Sequence, residues 1–303
     1  MPSVSDQVRA ACARVAARAR AVKIEEDAIE GYAKGLEPAP AAARSIGGGR
    51  ESRAAFVICL DAINFGSGWW PTIRKRPGLS GYSTIEAGLT ERVEAAGPWS
   101  AQELVGLDAA RIAGVLGQDE GHPLMEQYAA ALRDVGKRVS EDHRGSFEAV
   151  VAAAGGSAPA LATLLAGWDA FDDVSTYAGE PVPFCKRAQI AAVDVDRMGV
   201  AALRGLDELT AFADNLVPHV LRVDGILRLD RELERRIDAE ELLAPGSPEE
   251  VELRACAVHA IELLSDALAR GMPPAGIDAA LWNRGHAPRY KSRPRPRCRN
   301  TAY

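Results

Sequence analysis

The sequence predicts a mainly α-helical fold in a single domain, with a few short strands. Three observations carry that prediction. Aromatic residues make up 6% of the 303 residues against 47% hydrophobic in total, so the core is mainly Ala, Leu and Val, and such sequence favours helix over sheet. Apolar residues recur at helical spacing in several long stretches. Ser-x-x-Glu patterns stand where some of those stretches begin. No internal repeat and no linker divides the chain, so the domain is expected to run over residues 1–303, with 286–303 as a basic tail packed on it.

In chain order, Val8, Ala11, Val15, Val22 and Ile29 predict helix over residues 5–35. Residues 37–50, EPAPAAARSIGGGR, read as a loop. The apolar run 56–65, FVICLDAINF, has the length of a buried strand or a buried helical segment, and periodicity does not separate the two. Ser83-Thr84-Ile85-Glu86 and Ser100-Ala101-Gln102-Glu103 each fit a capping box and predict helix starts. A long helix is expected from Pro123 to about Ala154, broken near Ser140 and ended by Gly155-Gly156. A short helix is expected over 157–166 and a loop or small hairpin over 169–184. Helices are expected over 186–203 and 207–223. Ser247-Pro248-Glu249-Glu250 opens one that Gly271 and Pro273 close, and 277–283 is the last. Basic residues alternate from Arg289 to Arg299 and would share one face of an extended tail.

Charge narrows the function. The net charge is −6, yet residues 286–303 hold six basic side chains and no acid, which leaves the rest at −12. An acidic body does not suit general nucleic-acid binding, so no direct nucleic-acid partner is expected. The five cysteines form no C-x-x-C pair, and the five histidines show neither H-E-x-x-H nor a facial-triad spacing, so no metal site is expected. Phosphate-loop, dinucleotide-binding and G-x-S-x-G motifs are missing; Gly47-Gly48-Gly49-Arg50 lacks the Lys-Ser of a phosphate loop. No signal peptide opens the sequence and no apolar run approaches the roughly 18 residues of a membrane span, so a cytoplasmic protein with reduced thiols and no membrane partner is expected.

What remains is polarity in apolar surroundings. Asp61 and Asn64 interrupt the run 56–65, and a buried carboxylate is hydrogen-bonded, paired or functional. Asp194 lies among Ala191, Ala192, Val193 and Val195, about two helical turns from Lys186-Arg187; a structural ion pair and a catalytic acid both fit it. Asp214 fits the cap of a helix with Pro218 in its first turn.

Five blocks give these residues a family resemblance: LDAINFGSGWWP (60–71), RKRPGLSGY (74–82), VPFCKRAQIAAVDV (182–195), LTAFADNLVPHVLRVDGIL (209–227) and VELRACAVHAIELL (251–264). LWNRG (281–285) and the terminal Tyr303 after basic residues fit as well. On these strings the chain resembles the queuosine salvage protein family, the queuosine 5′-phosphate N-glycosylase/hydrolases. The resemblance implies a helical fold similar to the helix-hairpin-helix DNA glycosylases. It implies hydrolysis of the N-glycosidic bond of queuosine 5′-monophosphate, giving queuine and ribose 5-phosphate, with no metal or organic cofactor. The implied partner is therefore a small-molecule nucleotide.

The resemblance also assigns roles. Cleaving a ribosyl C–N bond builds positive charge on C1′ and O4′, which a carboxylate beneath the sugar stabilises, and Asp194 is the residue expected there. Asp61, Asn64 and Asp214 are expected to hydrogen-bond the base, and Phe65, Trp69 and Trp70 to stack on it. Lys186 is the first choice for the 5′-phosphate, with Arg299, Arg297, Tyr290 or Lys291 from the tail. The chain departs from the family pattern at Cys185, where a Tyr is expected, and near Asn215 and His219, where a Tyr and a Gln are expected. Those positions put the exact deazapurine in question. The rival reading is a binding protein for a modified nucleoside or tRNA without hydrolysis, which predicts salt-sensitive tRNA binding and no release of base.

Overall fold

The computed structural model describes residues 3–40 and 46–303. Among them are fifteen α-helices and three two-stranded sheets, the last too small to form a layer, so the core is helix on helix.

Helix α1 (Val4–Ala16) starts at Ser3, whose hydroxyl accepts the Asp6 N–H while Asp6 reaches back. It buries Val4, Val8, Ala11, Cys12 and Val15. The helix expected to continue to residue 35 ends there. Strand β1 (Val22–Ile24) follows, then a 3₁₀ turn and α2 (Ile29–Ala33). The interruption has a distant cause: Glu252 Oε2 accepts the N–H groups of Arg20, Ala21 and Val22 at 3.0, 2.7 and 3.1 Å and holds the chain out of the helix. Part of the expected loop 37–50, residues 41–45, lies outside the described residues, and Arg50 already belongs to a helix.

Residues 56–62 of the apolar run are helix, and 63–65 lie past its end. Residues 56–62 form the second half of α3 (Arg50–Ala62), in which every residue from 54 to 62 is buried. A helix apolar all round is a central one, and α3 packs against helices on several sides. Helix α4 (Gly81–Ala96) begins earlier than Ser83-x-x-Glu86 suggests: Ser80 accepts the Ser83 N–H, so Ser80 is the cap. Helix α5 (Ala101–Val105) has the expected Ser100–Glu103 capping box, and α6 (Ala109–Leu116) is capped by Asp108. Helix α7 (Pro123–His143) runs unbroken through Ser140 and ends instead at Arg144 and Gly145, both left-handed. Helices α8 (Phe147–Ala153) and α9 (Ala158–Ala166) follow.

The segment 169–184 contains a hairpin of β2 (Val174–Tyr177) and β3 (Glu180–Pro183). Its two-residue turn, Ala178-Gly179, has positive φ at both positions, as a type I′ turn requires. Helix α10 (Lys186–Arg197) ends six residues before the expected 203, and α11 (Leu216–Val223) covers only the second half of the expected 207–223. Strand β4 (Leu227–Leu229) pairs antiparallel with β1. Asp230 caps α12 (Arg231–Asp238), a helix the sequence pattern does not announce.

Strand β5 (Leu242–Leu243) leads into α13 (Pro248–Ala267), opened by Ser247 as expected, and α14 (Pro274–Arg284) extends the expected 277–283 at both ends. The tail is not one extended strand: α15 (Pro288–Lys291) is a helical turn, and only β6 (Arg297–Cys298) pairs, parallel to β5. Arg289, Lys291, Arg293 and Arg299 are therefore exposed while Arg295 and Arg297 are half-buried, and the alternating basic face does not form.

Candidate active site

The segment between α10 and α11 avoids the helix because its polar groups are taken elsewhere. Gln189 on α10 clamps Thr210, accepting its N–H at 2.9 Å and donating to its hydroxyl at 2.9 Å. Asp278 on α14 accepts the Phe212 N–H at 2.9 Å, and Arg254 on α13 donates to the Ala213 carbonyl at 3.0 Å. Side chains from three helices thus hold residues 210, 212 and 213 and present Asp214 at the start of α11. There Asp214 Oδ1 accepts the N–H groups of Leu216 and Val217 at 2.8 and 3.0 Å. Both bonds use one carboxylate oxygen.

The Asp214 charge acts on ionisable groups from three other elements. Lys186, at the first position of α10, is buried, and its Nζ donates to the Asn64 carbonyl at 3.2 Å, just past the end of α3. Burial pulls the Lys186 ammonium pKa down, and the Asp214 charge pulls the other way. Asp278 is 5% exposed; burial first, then the Asp214 charge, lifts its carboxyl well above the usual carboxylate range. Arg295, between two prolines in the tail, has its pKa lowered by burial while Asp214 opposes the shift. Two carboxyl groups and two cations thus act on one another electrostatically, with Asp278 biased toward its neutral form. A buried carboxyl held above its usual range is a frequent mark of catalytic sites.

Lys186 Nζ bonds the Asn64 backbone and feels the Asp214 charge; the other expected residues stand as follows. Asp194 is 4% exposed on the third turn of α10, with Arg197 Nη1 at 3.7 Å. Eight residues of helix put it about 12 Å along the axis from Lys186. Arg197 links it to the cluster, because the Arg197 charge also acts on Asp278. Asp61 is fully buried, accepts the Asn64 amide at 3.3 Å and lies near the Arg187 guanidinium, whose charged form it favours. Phe65 is core: it meets Tyr128 edge-on at 5.0 Å and Arg187 at 5.1 Å. Trp69 and Trp70 are half-buried, and Trp70 covers Gly81, where any Cβ would strike the indole. Arg299 is exposed near His122. Arg297 Nη2 stands 3.5 Å from the Glu240 carboxylate, Tyr290 bonds Asp224, and Lys291 is exposed.

Cys185, Asn215 and His219 each have a structural setting. Cys185 turns the chain into α10 at φ 50, and burial pushes its thiol pKa up to about 12. Asn215 donates to the Pro296 carbonyl at 3.0 Å, and His219 Nε2 donates to the Tyr290 carbonyl at 2.9 Å. Both fasten the tail.

Sequence reasoning missed Asp278 and Arg295. Asp278 carried the signal used for Asp61, an acid beside Ile277 and among Ala279, Ala280 and Leu281. Arg295 carried no signal distinguishing it from its five basic neighbours. A surface groove of about 540 Å³ near α5 and α7, lined by Gln102, Arg133 and Lys137, shares no residue with this cluster. Among the described residues no helix is long and apolar enough to cross a membrane.

The family profile described as queuosine salvage protein matches residues 46–303. A protein of Sphaerobacter thermophilus named queuosine 5′-phosphate N-glycosylase/hydrolase is 36% identical over 290 residues, covering 90% of this chain and 90% of that protein. Proteins of the same name from Mus musculus and Dictyostelium discoideum are 27% and 29% identical, covering 84% and 78% of this chain and 82% and 74% of their own.

Proposed function

The chain belongs to the queuosine salvage protein family, and from that premise we infer that it hydrolyses the N-glycosidic bond of queuosine 5′-phosphate. The products are queuine, freed for reinsertion into tRNA, and ribose 5-phosphate. Water supplies the hydroxyl that C1′ gains, and the base leaves with a proton.

The observation that carries the residue assignment is the clustering around Asp214. Cleavage places positive charge on C1′ and O4′. A carboxylate fixed by two backbone N–H groups through one oxygen can turn the other toward that charge without reorganising. Asp214 takes this role. A 7-deazapurine has no N7 to protonate, so help for the leaving base must come from a donor aimed at its other polar atoms. Asp278, biased toward its neutral form, is such a donor. Lys186 and Arg295 supply the cations for the 5′-phosphate.

Asp194 is the acid the sequence favours; it pairs with Arg197, whose charge acts on Asp278, and in this reading it supports the site. The acidic body argues against direct tRNA binding and for a free nucleotide as substrate. Five buried free thiols suit a reducing compartment, and we place the reaction in the cytoplasm.

The test is a pair of isosteric variants. Asp214→Asn should lower kcat by about 10²–10³ while the protein still folds and binds nucleotide, and Asp194→Asn should cost far less. The reverse order would move the chemistry to Asp194.

A further inference from the structure

Arg254, on the second turn of α13, is 2% exposed, and its strongest bonds leave its own helix. Its Nε donates to the Ala213 carbonyl at 3.0 Å, directly before Asp214. Its Nη2 donates to Asp173 Oδ2 at 2.8 Å. The same Oδ2 accepts the backbone N–H of Lys186 at 3.0 Å. Helix α10 has no side-chain cap from Cys185, so Asp173 fills that role across 13 residues of sequence. The guanidinium lies between two rings, with the Phe184 and Tyr303 centroids 3.9 and 4.7 Å from its central carbon. Burial works against its charge, and Asp173 with Glu250 more than offsets that effect.

We propose that Arg254 is a positioning residue for the hydrolysis: through Ala213 on one side and Asp173 on the other, one guanidinium sets where Asp214 stands relative to Lys186. The proposal rests on the reading that these two groups act on the substrate. A buried ion pair is a poor device for stability alone, since apolar residues of the same shape often serve as well. An apolar pair could not fix two backbone points with directional bonds. A lysine could keep the charge beside Asp173 but lacks the planar fork that reaches both partners.

The experiment compares the whole wild-type chain with Arg254→Lys, which leaves Asp173 a cation. The double variant Arg254→Met/Asp173→Asn, which removes both halves of that ion pair and leaves Glu250 with its bonds from Gly246 and Asn300, is the second arm. Two quantities are read: steady-state kcat and KM for queuosine 5′-phosphate, and backbone hydrogen exchange at 186–189 and 214–217. Both variants should lose about 10–100-fold in kcat with little change in KM, as displaced reacting groups do. Exchange should quicken in the two segments together and stay unchanged in α7. A folded Arg254→Lys protein with wild-type kcat overturns the proposal, whether or not KM rises or exchange quickens. Exchange that stays unchanged in both segments overturns it as well, and that reading needs no activity. If the wild type releases no base, the hydrolase reading fails, and exchange alone then decides whether Arg254 ties the two segments.

Discussion

His219 shows how one residue can tie stability to pH. Its Nε2 donates to the Tyr290 carbonyl, its Nδ1 is buried without a partner, and burial lowers its pKa to about 4 from the ordinary 6.5. The folded chain therefore keeps the ring neutral where the unfolded chain takes up a proton. Stability is unaffected above pH 6.5, falls as pH drops from 6.5 toward 4, and loses at most about 3 kcal/mol from this group. His219→Gln retains a donor for the carbonyl and removes the titration. Its Tm should fall less than that of the wild type between pH 7 and pH 4.5 in thermal melts. Equal Tm losses would mean that other groups set the acid limit. Asp278 makes the matching point for the site. Burial and the Asp214 charge lift its carboxyl, which its sequence does not show, because Asp61, Asp194 and Asp278 all sit among apolar residues.

At the scale of elements, local signals were legible and distant ones were not. The caps of α5 and α13 read directly from Ser100–Glu103 and Ser247–Glu250, since a cap needs only residues three apart. The helical run 5–35 fails at residues 20–22 because the carboxylate that holds them comes from residue 252. The expected helix 207–223 loses its first half for a similar reason: Gln189, Asp278 and Arg254 claim the polar groups of 210–213. Run 56–65 could not be assigned from its pattern, because a helix buried on every side has no polar face to reveal its period. Glu252 gives the element-scale prediction. It accepts three N–H groups through Oε2 and the Tyr177 hydroxyl through Oε1 at 2.7 Å. Glu252→Gln turns an amide donor toward one set of donors and should cost about 3 kcal/mol in urea unfolding. A loss below about 0.5 kcal/mol would mean the bonds are replaced by water.

For the molecule as a whole, the family strings were more legible than the geometry they encode. The blocks 182–195, 209–227 and 251–264 read as separate stretches, yet they converge through Gln189, Thr210, Ala213 and Arg254 on one carboxylate. The tail belongs to the same assembly. The Tyr303 carbonyl accepts the Gly66 N–H at 3.0 Å, its ring covers Arg254, and the Asp214 charge acts on Arg295. Its basic charge is thus partly spent inside an acidic body instead of forming the open basic surface that a tRNA-binding protein needs. The most direct measurement incubates the purified protein with queuosine 5′-monophosphate and, separately, with queuosine, and detects free queuine by mass spectrometry. The account predicts queuine and ribose 5-phosphate from the phosphate, with far slower release from the nucleoside, which leaves Lys186 and Arg295 without their anion. No queuine from the phosphate, or equal release from both, would contradict it.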